Sequence, residues 1–566
     1  MSLHQCISTE ILVIGSGGAA LRAALAAQEQ GAQVLVVSKG VAGRCGVTPT
    51  ALTGYQAAFG HADSRDNPEV HFRDTMKNGC GLSDPVLARI LAEESPSSVL
   101  YLEGLGVRFQ KTPEGRFVQK RLDESQSYPR SVRIGDSLGL PIMTVLSATV
   151  QKRGIRMMSD ILVTALLVHE GRVCGASALN MVTGELLLFR AGAVILATGG
   201  AASLYALSSN PPESTGDGYM LAYRAGAQLM DMEFFLFLGH AVLYPESARG
   251  VLYPFQYLLG LGARPLYNAE GRAFISDYTP EGVTNPSRDL YARAIHWEVM
   301  AGRGSEHGGA YFDPSSIPGD VLERELPSQT KFLRSLGVDM TRPLEVGVAG
   351  HFLCGGVRMN EWCATSVDGL FAVGEVAGGV HGGARIGGNA LAELFVFGRR
   401  GGEAAARFVR KQGICACMEE ERRLLEQERE RMERLLRKKD GPRPGELCRE
   451  LQDAMWKHVS VIRSRSGLEQ ALSRIGALRS QLPLMRTAGS SRVFNLDLRA
   501  ALELENMVEL AGIIAEAALL REESRAGHFR EDFPEQSREW DCNILVDKGA
   551  AGPSFSRKTV EPMERI

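Results

Sequence analysis

Ile11-Leu12-Val13-Ile14-Gly15-Ser16-Gly17-Gly18-Ala19-Ala20 runs a short apolar strand straight into a glycine turn. The pattern that follows predicts a helix from Leu21 to Gln30 and a second strand at Val34-Leu35-Val36-Val37. Strand, G-x-G-x-x-A turn, helix, strand is the layout of a dinucleotide-binding βαβ unit. Gly15 makes the turn, and Gly17 leaves room for a pyrophosphate against the backbone. Ala20 is small enough for the helix to pack on the strand. Gly15, Ser16, Gly17, Gly18, Ala19 and Ala20 are therefore read as cofactor-binding. The unit departs from the NAD pattern in one respect. Its second strand ends in Ser38-Lys39-Gly40, with no acidic residue for a ribose.

Three further turns extend the pattern. Ala193-Val194-Ile195-Leu196-Ala197 runs into Thr198-Gly199-Gly200, and Ser214-Thr215-Gly216-Asp217-Gly218 precedes an apolar helix. Leu370-Phe371-Ala372-Val373-Gly374-Glu375 leads to His381-Gly382-Gly383-Ala384-Arg385-Ile386-Gly387-Gly388-Asn389-Ala390-Leu391. Six glycines between 378 and 388 let backbone approach a ligand, with one cation, Arg385, among them. The helix beginning near Ala390 offers its N-terminus to anionic groups. Each turn alone is an ordinary strand–turn element. Four of them, spread from 15 to 388, suit one extended ligand touched by distant segments.

A chain of 566 residues exceeds one core, and two to four domains are expected. A hydrophobic content of 44% with 23% charged residues is ordinary for a soluble enzyme. The net charge of −3 gives no reason to expect nucleic acid or an anionic membrane surface. No apolar run approaches the roughly 20 residues that span a bilayer. The first apolar run is only the strand before Gly15, so no signal peptide is read and a cytoplasmic location is expected. None of the ten cysteines forms a C-x-x-C pair, and the closest two are Cys415 and Cys417. Reduced, mostly buried thiols are expected, with no zinc or iron–sulfur site in this chain.

Residues 1–231 alternate strands, helices and glycine turns, whereas 232–348 are richer in aromatics and proline and read as an inserted lid. The α/β character returns over 349–414. A helical domain is expected over 415–524, opening with a highly charged helix at 418–440, and a turn-rich tail covers 525–566. The fold class is thus α/β: a discontinuous Rossmann-like domain, an inserted α+β capping domain, a helical domain and a small tail.

At this level of detail the chain resembles the flavoprotein subunit of fumarate reductase and succinate dehydrogenase, with L-aspartate oxidase and adenylylsulfate reductase as more distant relatives. The resemblance rests on Gly15–Ala20, Ser38-Lys39, Thr215-Gly216-Asp217-Gly218, Ser287-Arg288-Asp289 with Ala292-Arg293, and Gly350-His351-Phe352 with Gly355-Gly356. It continues through Gly374-Glu375, His381–Leu391, Phe494-Asn495, Glu503-Leu504-Glu505-Asn506 and Glu523-Ser524-Arg525-Ala526-Gly527-His528. It implies FAD, a lid over the isoalloxazine, and hydride transfer between flavin N5 and a carbon beside a carboxylate. By motif, Glu375 would hold the ribityl chain, the backbone of Ala390 and Leu391 would touch the flavin ring, and Asp217 would lie near it. Ser38, Lys39, Gly40, Thr53, Gly54, Thr198 and Gly199 complete the implied cofactor set. Arg288 would transfer the proton, while His351 and Arg385 would grip a substrate carboxylate. The residues alone also allow a lid salt bridge for Arg288 and a core position for His351.

Two departures from the family bear on chemistry. No histidine lies between His4 and His61, where the family often joins one covalently to FAD, so noncovalent FAD is expected. The family's Phe-His-Pro-Thr reads Phe237-Leu238-Gly239-His240 here, and its Thr-Glu pair is missing from 255–264. Either His240 substitutes as a substrate-binding residue, or a second carboxylate goes unrecognised. Leu238, Tyr257, Leu258, Leu259 and Leu261 would then favour a substrate with one carboxylate and an uncharged far end. The resemblance further implies an iron–sulfur partner subunit. Two other readings are an adenylylsulfate-reductase-like flavoprotein acting on a larger anion and an electron-transfer subunit without its own substrate.

Overall fold

The computed structural model describes residues 5–52, 54–122, 125–279, 286–415 and 417–560. Thr53 lies outside them. The run from Gln5 to Ile14 forms one long strand, β1, and its apolar half is fully buried because it is central in a sheet. Around it lie β2 (Val34–Val37), β3 (Arg156–Met158), β4 (Ile161–His169), β5 (Arg172–Asn180), β6 (Leu186–Leu196) and β7 (Leu370–Ala372). The order is β3-β2-β1-β6-β5-β4, with β7 also on β6. β6 is long enough to serve two neighbours on one side. Its first half pairs antiparallel with β5, and Val194–Leu196 pair parallel with β7.

The parallel registers align four strand ends. Ile14 lies opposite both Val37 and Leu196, and Leu196 opposite Ala372. The Gly15 turn, Ser38-Lys39, Thr198-Gly199 and Gly374-Glu375 therefore leave the sheet along one edge, where open α/β sheets bind ligands. Helix α1 (Gly18–Glu29) crosses behind β1, and α2 (Asp217–Arg224) follows the Ser214–Gly218 turn.

The lid carries its own three-stranded sheet, Phe235–Val242 and Ala310–Phe312 on either side of Leu344–Leu353. The middle strand is one unbroken element. It runs through the 348/349 boundary expected from composition, because its far end packs back on the dinucleotide domain. Rings of Tyr205, Phe235 and Phe237 meet edge to face at this junction. Helix α3 (Arg288–Met300) is capped by Ser287, whose side chain accepts from Leu290 N–H.

After the lid, α4 (Asn389–Gln412) returns to α1. The two pack closely because Gly398 and Gly402 present bare backbone. A methyl at Gly398 would lie 2.9 Å from Ala19 O. The charged run is α5 (Met418–Arg437), with Leu425, Met432 and Leu435 turned inward. Helices Pro444–His458, Arg465–Gln481 and α6 (Leu496–Leu520) make the helical domain. The tail strand Cys542–Lys548 joins a second, five-stranded sheet by pairing with Leu229–Met230. Arg521 clamps the tail, bonding Glu233 at 2.6 Å and Glu523 at 3.0 Å, all fully buried. Among the described residues, no helix is long and apolar enough to cross a membrane.

Candidate active site

A cavity of about 310 Å3 follows the sheet edge from Lys39 to the lid. Its cradle is backbone. Gly15 holds φ +113°, and a methyl there would collide with Ala197 O, so glycine is required on both counts. Thr48 Oγ1 accepts from Gly18 N–H at 3.1 Å, and Ser16 and Ser38 hydroxyls meet at 3.0 Å. Of the residues expected to bind a cofactor, Gly15, Ser16, Gly17, Gly18, Ala19, Ser38, Lys39, Gly40, Gly54, Thr198, Gly199, Asp217, Glu375, Ala390 and Leu391 line this cavity. Ala20 does not. It is fully buried in the core, where its small size serves the helix–strand contact.

Two acids take contrasting roles. Glu375 is enclosed, with Oε1 accepting Leu353 N–H at 3.2 Å, and burial pushes its carboxyl up to about 8. At neutral pH it is a hydrogen-bond donor facing the cavity. A methyl at Gly200 would overlap its carboxyl group, so the bare turn is what admits it. Asp217 is ionised. Burial alone would raise it, but Lys39 at 2.6 Å, Asn506 at 2.8 Å and Thr215 at 3.0 Å hold it below the usual carboxylate range. Lys39 also reaches Glu503 at 2.9 Å. Asp217 thus sits by the end of β2, the ribose side of such a fold. Thr198 Oγ1 is buried without a hydrogen-bond partner among the described residues. A glycine-lined cradle, a protonated carboxyl and an unmet hydroxyl suit the pyrophosphate and hydroxyl-bearing chain of FAD.

The lid end gathers cations. Arg385, nearly buried, donates to Ile386 O at 3.1 Å and to His351 Nε2 at 3.1 Å, and lies over the Phe352 ring at 4.4 Å. Its Nε–H has no partner among the described residues. Burial and the neighbouring Arg288 both lower its pKa. Because a guanidinium only donates, His351 Nε2 must accept, and its Nδ1–H faces Ser209 Oγ at 2.8 Å. Burial and Arg385 keep His351 neutral, well below the usual histidine range. His351 therefore orients Arg385 in this state.

Arg288, the first residue of α3, lies against the glycine run. A methyl at Gly387 would fall 2.9 Å from its Cζ. His240 bonds Gln256 Oε1 through Nε2 at 2.9 Å, leaving Nδ1 without a partner among the described residues. Burial, with the charge of Arg288, pushes its pKa to about 3. It is a neutral group that offers an acceptor and no positive charge.

The apolar far end needs a similar correction. Leu238 and Tyr257 line the cavity, but Leu258, Leu259 and Leu261 turn into the core of the lid. Tyr257 is anchored by Glu325 at 2.7 Å, and beyond its ring, at 5.4 Å, lies Arg133. Arg133 is 6% exposed, lines the cavity, and has a buried Nε–H without a partner among the described residues. Nothing local marks it. It follows Ser131-Val132 in a stretch without a motif, and at the site it meets Tyr257 of Phe255–Gly260, more than a hundred residues on.

Residues 10–391 match the family described as FAD binding domain, and 448–565 that described as fumarate reductase flavoprotein C-term. A subunit of the Methanothermobacter marburgensis enzyme named fumarate reductase (CoM/CoB) is 42% identical over 551 residues, spanning 96% of this chain and 98% of its own. A chain of Mycobacterium smegmatis Sdh1 in complex with UQ1 superposes with a TM-score of 0.87 at 35% identity, covering 99% of this chain and 95% of its own. A chain of E. coli quinol fumarate reductase gives a TM-score of 0.91 at 28% identity, with 99% and 98% covered.

Proposed function

Because the chain belongs to the fumarate reductase and succinate dehydrogenase flavoprotein family, FAD-dependent oxidoreductases acting on CH–CH bonds, we propose that it reduces the C=C bond of a dicarboxylate beside its FAD, fumarate first among candidates. The name of the Methanothermobacter relative supports that choice. Bound FAD supplies a hydride carrier. What this chain supplies is grip, orientation and a proton.

The observation that carries the reading is the pair of buried guanidiniums at the lid end, Arg385 by the glycine run and Arg133 by Tyr257, each with an N–H that meets no partner among the described residues. A buried cation with an unpaired donor is costly unless an anion completes it. Arg385, aimed by neutral His351, binds the carboxylate beside the reacting carbon. Arg133 takes the second carboxylate, in place of the missing Thr-Glu clamp. The bare Nδ1 of His240 accepts from a hydroxyl or water at the same end and adds no charge. Arg288 delivers the proton to the carbon that does not receive the hydride. Electrons reach the site through an iron–sulfur partner subunit, in keeping with the relative being named as one subunit of its enzyme.

The test is anaerobic turnover of fumarate, its monoester and longer monocarboxylate enoates by wild type and Arg133→Leu. Losing one charged hydrogen-bonded contact, worth about 1.5–3 kcal/mol, should raise KM for fumarate roughly 10- to 150-fold. The monoester should be unaffected. A wild type that prefers the monoester, or an unchanged fumarate KM in Arg133→Leu, overturns the assignment.

A further inference from the structure

Away from the cavity, Cys174 of β5, Cys415 and Cys417 bring their three Sγ atoms within 4.8 Å of one another. We propose that this cluster is a thiolate site for a soft d10 cation such as Zn2+, held by three cysteines with a fourth position open to solvent. A tetrahedral Zn–S distance of about 2.3 Å puts sulfurs roughly 3.8 Å apart, an adjustment of at most about 1 Å from this arrangement. The three come from separate supports. Cys174 is fixed in a buried strand, Cys417 caps α5, and Cys415, half-buried in the link between α4 and α5, gives the entry path.

The surroundings favour a cation over a disulfide. A disulfide would use two of the sulfurs and leave the third packed against it. A dication binds all three sulfurs at once as thiolates, displacing their protons. The acids opening α5 are already engaged, Glu420 by His169 at 2.9 Å and Glu421 by Arg190 at 2.5 Å. Leu167 and Leu424 close the apolar side. The ion would pin the α4–α5 link to β5, the seam between the dinucleotide domain and the helical domain. The expectation of scattered, metal-free thiols came from spacing, which cannot show a third ligand from a distant strand.

The test uses untagged, full-length, FAD-loaded protein, reduced, stripped by chelator and titrated with Zn2+. Metal analysis after desalting measures uptake, and Cd2+ serves as an optical thiolate probe. Wild type should retain zinc equimolar with chain and give a cadmium–thiolate absorption band. Both should vanish in Cys415→Ser/Cys417→Ser and in Cys174→Ala. Both should persist in Cys6→Ser, which alters an exposed thiol outside the cluster. Flavin content and turnover should be equal in all four proteins. No zinc in folded wild type, or equal zinc in the double variant, reduces the cluster to buried sulfur packing and overturns the proposal. So does a disulfide between any two of the three in wild type purified under reducing conditions.

Discussion

Glu375 is a carboxyl group that burial keeps protonated up to about 8. Its folded pKa lies above the ordinary 4.5, so the folded chain holds a proton that the unfolded chain releases between those values. In FAD-free protein its contribution to stability is fully present below about 4.5 and fades as pH rises through 8. FAD affinity should follow the same sign, steady below pH 7 and falling above about 8. Glu375→Gln, a permanent donor, should keep the affinity and lose the pH dependence, whereas Glu375→Ala should lose affinity throughout. Flavin fluorescence titrations across pH distinguish the three. Such roles were only partly legible in the sequence. The glycines, Glu375 and Arg385 sit in local patterns that announce themselves. Arg133 and the tautomers of His351 and His240 depend on partners far along the chain, which no spacing encodes.

At the level of elements, two junctions hold the site. Lys39 ties the end of β2 to α2 and α6 through Asp217 and Glu503. Lys39→Met would leave two mostly buried carboxylates facing each other, a loss of about 3–5 kcal/mol. Thermal unfolding should show a clearly lowered Tm with weakened FAD retention; an unchanged Tm would mean that the ion pairs do not join these elements. The second junction is Gly387 against Arg288. Gly387→Ala should displace the guanidinium and depress kcat by orders of magnitude while FAD stays bound, and normal turnover would detach Arg288 from the chemistry. The βαβ unit and the helical domain were legible because apolar period and turn residues are local signals. The boundary at 348/349 was not, because the strand Leu344–Leu353 serves both the lid and the domain beneath it.

Over the whole molecule, the aligned ends of four parallel strands, the glycine run and the lid enclose one cavity that joins cofactor cradle and cationic end. The cavity wall at 43–50 offers Cys45, Gly46, Val47 and Thr48, but no histidine. FAD should therefore be held without a histidyl bond. Acid precipitation should release all the flavin to the supernatant, and colour retained on the washed pellet would contradict that. The central claim is that this enclosure moves a proton from Arg288 as the C=C bond is reduced. The most direct measurement is anaerobic reoxidation of the reduced, FAD-loaded protein by fumarate in a stopped-flow, for wild type and Arg288→Gln, with flavin content and fumarate binding measured on both. Wild type should reoxidise rapidly and form succinate in equal amount. Arg288→Gln should keep its FAD and bind fumarate, yet reoxidise slower by at least about a hundredfold, the usual scale for losing a positioned proton donor. Reoxidation of Arg288→Gln at the wild-type rate would contradict the account.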